Sequence, residues 1–285
     1  MAIFVTEDGT QLFYERRGSG KRVFAVCGGP ADDFRYLAED LAPLVDECEL
    51  VFHDYRGSGR SASAPPETYT LEQLADDLDE LRQALGDDKI VVIGHSMGGF
   101  VALNYALRHP AHCERVVLAG AFPCADPRQM MVPTFRALGW ARTAKMAARA
   151  LWWLAAFSWQ PPSGERTWRL YAIWTTLQEG LPAVRAREIE RERRLGLPLA
   201  NDNVRPLQQT FTSLDLIDDL AEIACPVLVL YGDRDAMAVW GASLFRSHIP
   251  AARIVVLDDI GHDPFFEAPG ASCDAVRSFL ASRRS

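Results

Sequence analysis

The chain alternates short apolar runs with longer segments that are apolar on one side only. It opens with AIFVTEDGTQLFYERRG, two stretches around Asp8-Gly9 that predict a β-hairpin. Apolar, β-branched runs then recur: RVFAV (22–26), ELVFHD (49–54), KIVVIG (89–94), RVVLAG (115–120), PVLVLYG (226–232) and RIVVLD (253–258). Runs without alternation predict strands buried on both faces. Between them the period changes to that of a helix. Leu71, Leu74, Leu78, Leu81 and Leu85 share one face with acids opposite, and Phe100–Arg108 and Gly270–Ser282 behave likewise. Such a series predicts an α/β fold with a parallel sheet and right-handed crossovers.

One gap breaks this rhythm. Between Phe122 and about Leu216 no buried strand is legible, yet the segment is too long for a structureless loop. Its composition is helical, and it holds Trp140, Trp152, Trp153, Trp159, Trp168 and Trp174, six of the seven tryptophans. The organisation expected is therefore a core (1–122), an inserted helical cap (123–215) and the rest of the core (216–285). The tryptophans suit two roles, an apolar pocket for an acyl group or packing of the cap onto the core.

Composition narrows the function classes. The 285 residues are 48% hydrophobic and 24% charged, which is ordinary for a globular chain. A formal net charge of −8 argues against nucleic acid as partner, because phosphate binding needs clustered positive charge. The basic stretch Arg185–Arg194 is interleaved with Glu188, Glu190 and Glu192 and predicts a solvated helix face. No apolar run reaches the roughly 18 residues of a membrane helix, so no membrane partner is expected. MAIFVTEDGTQL lacks a basic segment followed by an apolar one, and the expected location is cytoplasmic. The six cysteines (27, 48, 113, 124, 225, 273) form no C-x-x-C pair, so buried reduced thiols are expected and no metal.

The strongest chemical signal is GHSMGG, Gly94–Gly99, a G-x-S-x-G with Ser96 at its centre. It follows a β-branched strand and leads into a helix, the setting that a nucleophile elbow requires. Small flanking residues let the chain turn sharply, and the helix N-terminus favours developing negative charge. A serine hydroxyl needs a base. Tyr231-Gly-Asp-Arg-Asp235 and Ile260-Gly-His262-Asp-Pro both follow strands and offer acid and base. His262 would take the Ser96 proton, and Asp235 would orient its ring. Asp233 is the rival acid. Asp258 and Asp259 precede His262 too closely. His95 sits inside the elbow, where its backbone position outweighs its ring. His53, His109, His112 and His248 read as structural or exposed.

With GHSMGG (94–99), GDRD (232–235), GHDPFFEAP (261–269) and HDYRGSGRS (53–61), the chain resembles the α/β-hydrolase superfamily along nearly its whole length. The resemblance implies the α/β-hydrolase fold, a mostly parallel central sheet with helices on both faces and an inserted helical cap. More narrowly, CGGP followed by D-x-R-G-S-G-x-S resembles the proline iminopeptidase branch. By that resemblance the loop after the third strand donates a backbone N–H to an oxyanion hole, at Gly29, with Met97 N–H as the second donor. Asp54, Arg56 and Gly57 would shape a neighbouring loop. The chain departs from the branch at Cys27, where His is usual, at Ala31, where Gly is frequent, and at Met97, where Trp is frequent. The iminopeptidase cap also needs carboxylates for a substrate amino group. Glu165 and Glu179 are candidates that no spacing singles out.

The function expected is a cofactor-independent serine hydrolase acting on a small-molecule carboxylic ester or related acyl compound, with a hydrophobic or aromatic acyl group. An iminopeptidase-like aminopeptidase, a lactone or C–C bond hydrolase, and a non-catalytic binding protein on the same fold stand as alternatives. Haloalkane dehalogenase and epoxide hydrolase chemistry is disfavoured, since those relatives carry Asp at the elbow.

Overall fold

The computed structural model describes residues 2–29, 32–124, 182–197, 202, 206–207, 210 and 214–282. Within them eight strands form one sheet: β1 (Ala2–Val5), β2 (Gln11–Gly18), β3 (Lys21–Val26), β4 (Cys48–His53), β5 (Ile90–His95), β6 (Cys113–Ala119), β7 (Val227–Gly232) and β8 (Arg253–Leu257). Their order is β1-β2-β4-β3-β5-β6-β7-β8. The first hairpin pairs antiparallel, Ala2 opposite Tyr14 and Val5 opposite Gln11, and β2 joins β4 antiparallel. From β4 to β8 every pairing is parallel.

The helices are α1 (Arg35–Asp40), α2 (Leu71–Ala84), α3 (Met97–Arg108), α4 (Pro182–Leu195), α5 (Ala236–His248), α6 (Pro264–Glu267) and α7 (Pro269–Ala281). Sequence explains α2 directly. Thr70 caps it by accepting from Gln73 N–H at 3.1 Å, and Leu71, Leu74, Leu78 and Leu81 turn inward. α3 packs on β5, β6 and α2, and α5 packs on β7. The core is a continuous apolar cluster in which all of β5 and β7 is buried.

Two expectations need correction. RIVVLD was expected to be buried on both faces, but β8 closes one edge of the sheet and is only partly covered, with Val256 44% exposed. A last strand has a neighbour on one side only. Nor is the basic stretch wholly solvated. On α4, Arg191 and Glu192 are buried while Arg193 and Arg194 are exposed. The expected cap falls mostly outside the described residues, with all six of its tryptophans and Glu165 and Glu179. α4 is its longest described part. Among the described residues no helix is long and apolar enough to cross a membrane.

Candidate active site

The elbow is built by backbone demands. Ser96 joins β5 to α3 with φ 52° and ψ −117°, a conformation unusual for a residue with a side chain. It is pinned on both sides: its N–H donates to Ala119 O and its carbonyl accepts from Gly99 N–H, each at 2.9 Å. A Cβ at Gly98 would overlap the carbonyl oxygens of Val26 and Cys27, and one at Gly94 would overlap Gly98 O. Only glycine lets these strands and the helix approach so closely.

Two chain segments distant in sequence reach this elbow. His262, on the loop between β8 and α6, places Nε2 2.9 Å from Ser96 Oγ. Its Nδ1 lies 2.6 Å from Asp235 Oδ2, on the turn after β7. A carboxylate only accepts, so Nδ1 carries the proton and Nε2 is free to accept from the serine hydroxyl. Burial opposes charging of His262. The Asp235 carboxylate more than offsets this, with help from Asp263 and Glu188, and the pKa ends above the ordinary histidine value. Asp233, the rival acid, is exposed.

The loop after β3 lies against the elbow. A side chain at Gly28 would come within 3.1 Å of Ser96 Cβ and 3.2 Å of His95 Nδ1. Gly28 N–H is already engaged, donating to Tyr36 Oη at 2.5 Å. Gly29 follows in the left-handed region at φ 54°. Met97 is the first residue of α3, so its N–H belongs to the first-turn donors that have no intrahelical acceptor. Cys27 is fully buried, and its carbonyl accepts from Tyr55 Oη at 2.6 Å. Burial, with the charges of Asp54, Asp32 and Asp33, pushes its thiol well above the usual range. It is not poised as a thiolate.

Buried charge supports the site from behind, and sequence reasoning missed it. Arg191 of α4 grips Asp40 of α1 at 2.6 and 2.7 Å and Asp263, next to His262, at 3.0 Å. Its guanidinium also lies 4.0 Å from the ring centre of Phe266. Burial alone would raise Asp263; the Arg191 guanidinium, by its charge and its hydrogen bond, helps to hold it below its ordinary value. Beside the loop, Asp32 Oδ2 lies 2.8 Å from where a Cβ at Gly29 would stand. Burial and the Asp33 charge push Asp32 up to about 7, against the pull of Arg191. Charge alternation along the basic stretch gives no sign that Arg191 turns inward.

The other singled-out residues fall elsewhere. Arg56 is buried between Asp77 and Asp8, and Asp54 accepts from the Arg60 side chain and backbone. His53 is buried with no hydrogen-bond partner on either ring nitrogen. His109 pairs with Asp76, and His112 meets Asp88 O. His95 departs from expectation, because its ring lies between Tyr36 and the backbone of His262. Among the described residues no group of three or more His, Cys, Asp or Glu could hold a metal ion. No disulfide joins their cysteines, and the Sγ atoms of Cys113 and Cys225 lie 3.6 Å apart.

The model of the alpha/beta hydrolase fold family matches residues 26–269. A Caulobacter sp. (strain K31) protein with the provisional name carbamate hydrolase RutD is 27% identical over 281 residues, 97% of each chain. The proline iminopeptidase of Saccharolobus solfataricus is 24% identical over 94% of this chain and 87% of its own. Among solved structures, a hydrolase from Pseudomonas aeruginosa PA01 superposes with a TM-score of 0.77 at 26% identity, covering 99% of this chain and 98% of its own.

Proposed function

The chain belongs to the alpha/beta hydrolase family, and we propose that it is a serine hydrolase cleaving a carboxylic ester or related acyl compound through an acyl-enzyme on Ser96. The observation that carries this reading is the unbroken contact from Ser96 Oγ to His262 Nε2 and from His262 Nδ1 to Asp235. In the reading His262 takes the Ser96 proton as Oγ attacks the substrate carbonyl. The tetrahedral oxyanion is held by the N–H groups of Gly29 and Met97. His262 returns the proton to the leaving alcohol, and the acyl group stays on Ser96. A water then loses its proton to His262 and attacks the acyl carbon; as the bond from that carbon to Ser96 Oγ breaks, His262 returns the proton to Oγ and the acid is released. Asp235 holds the Nδ1–H tautomer and stabilises the imidazolium. Each oxyanion donor is worth about 2.7–4 kcal/mol. No cofactor enters the cycle. In the same reading residues 123–215 form a cap whose tryptophans line an acyl pocket or pack the cap onto the core.

A second reading has specific support. Asp32 beside Gly29 and Glu188 on α4 both act on the groups around Ser96. The Glu188 carboxylate, joined by Asp32 as pH rises above about 7, suits a substrate with a free α-amino group, as an iminopeptidase-type aminopeptidase requires.

One panel tests both. Wild type and Ser96→Ala are incubated with a fluorophosphonate probe, p-nitrophenyl esters, a lactone and proline p-nitroanilide. The expected result is labelling at Ser96, rapid ester cleavage, and loss of both in Ser96→Ala. Faster cleavage of the anilide would favour the aminopeptidase. Wild type that is not labelled and turns over nothing would sink the hydrolase reading.

A further inference from the structure

We propose that Tyr36 and His95 are positioning residues, linking the loop at Gly28–Gly29 to the His262 loop through one directed chain of hydrogen bonds. The chain has three links. Gly28 N–H lies 2.5 Å from Tyr36 Oη, Tyr36 Oη 2.9 Å from His95 Nδ1, and His95 Nε2 3.2 Å from His262 O. The proposal rests on the roles given above to Ser96, His262 and Gly29.

The direction of every proton follows from the ends. A backbone carbonyl only accepts, so His95 donates through Nε2–H. Its Nδ1 is then the acceptor and receives Tyr36 O–H. Tyr36 Oη is left to accept from Gly28 N–H, which can only donate. No link competes with another. A charged imidazole could not accept from Tyr36, and burial, with the His262 and Arg191 charges, holds His95 below its ordinary pKa despite Asp263.

Packing keeps the chain rigid. Tyr36 is 4% and His95 6% exposed. Their rings meet edge to face at 5.7 Å, and the His95 ring lies 5.4 Å from that of His262. A side chain at Gly28 would press on Tyr36 Oη at 3.0 Å, so the hydroxyl bonds only to bare backbone. The chain passes around Ser96, which follows His95 directly. It also commits Gly28 N–H elsewhere and leaves the next donor, Gly29, for the substrate carbonyl. Shortening or lengthening the chain would move the oxyanion donor and the base relative to each other, and misplacement of about 1 Å costs about 100-fold in rate.

Two measurements test the proposal. The first uses the unaltered protein: ¹⁵N NMR of selectively labelled histidine, assigned by loss of the signal in His95→Gln. A neutral His95 with its proton on Nε2 is expected, and a proton on Nδ1 overturns the proposal. The second compares kcat and KM for p-nitrophenyl butyrate, and Ki for a trifluoromethyl ketone that forms a tetrahedral adduct. Tyr36→Phe is expected to lower kcat about 10- to 100-fold with KM within about twofold. Ki should rise in step with the loss in kcat/KM. His95→Gln keeps a donor toward His262 O and should retain more activity than His95→Leu. In Tyr36→Phe/His95→Leu the losses should not multiply, because one chain is broken once. A folded Tyr36→Phe with wild-type kcat and Ki overturns the proposal. If Tyr36→Phe does not fold, the tautomer decides. Wild type unreactive toward a fluorophosphonate would sink the hydrolase reading and this proposal with it; a reactive Ser96 with His95 protonated on Nδ1 would sink the proposal alone.

Discussion

Cys27 stands beside the loop glycines, where the resembled branch usually has His, and its thiol is fully buried and pushed well above the usual range by that burial. Cys27→Ser should therefore stay within about threefold of wild-type kcat/KM, since buried structural thiols are inert. A fall to the Ser96→Ala level in folded protein would contradict this. His53 carries a different expectation. Burial pushes it down to about 4, while an unfolded histidine titrates near its ordinary 6.5. Its contribution is complete above 6.5. It is lost as pH falls toward 4, because the unfolded chain takes up the proton first, and the integrated effect is roughly 3 kcal/mol. Its ring nitrogens also lack partners. His53→Leu should flatten this acid limb without lowering stability at pH 8, as urea titrations at several pH values would report. At this scale motif spacing led to Ser96, Asp235 and His262, which the fold brings into contact. The ring of His95 was not legible, because its value depends on Tyr36, a residue that no motif contains.

Among elements, the β5–α3 elbow is the most demanding. Gly98→Ala would drive a methyl into the carbonyls of Val26 and Cys27, which belong to β3 and its loop. The backbone must yield, at about 1–3 kcal/mol. We expect a lower Tm and weaker fluorophosphonate labelling together; an unchanged Tm would show that the elbow is looser than described. Strands were legible because a buried parallel strand leaves a continuous apolar run. Predicted and observed limits differ by one or two residues, as RVVLAG (115–120) against Cys113–Ala119 illustrates. Exposure of β8 was not legible. The same RIVVL would serve at a centre or an edge, and only strand order decides. Short α1 escaped notice because six residues give no period to read.

At the scale of the molecule, α4 fastens to the core through Arg191, which sits among Asp40, Asp263, Tyr36 and Phe266. Arg191→Met would keep much of the volume but leave two buried carboxylates uncompensated. Breaking such a cluster typically costs about 3–5 kcal/mol. A matching fall in urea stability is expected, together with slower ester hydrolysis, because Asp263 adjoins His262. Stability within error of wild type would show that the cluster contributes little. Arg191 was read as solvated because charge alternation along one helix says nothing about what docks on it. The spacing of the site along the chain has a kinetic consequence. Ser96 and His262 are 166 positions apart, whereas His262 and Asp235 are 27 apart. Loop closure over the longer span is entropically expensive and belongs late in folding. Refolding chains should thus regain helical signal before reactivity at Ser96, passing through a stage that is ordered yet chemically silent.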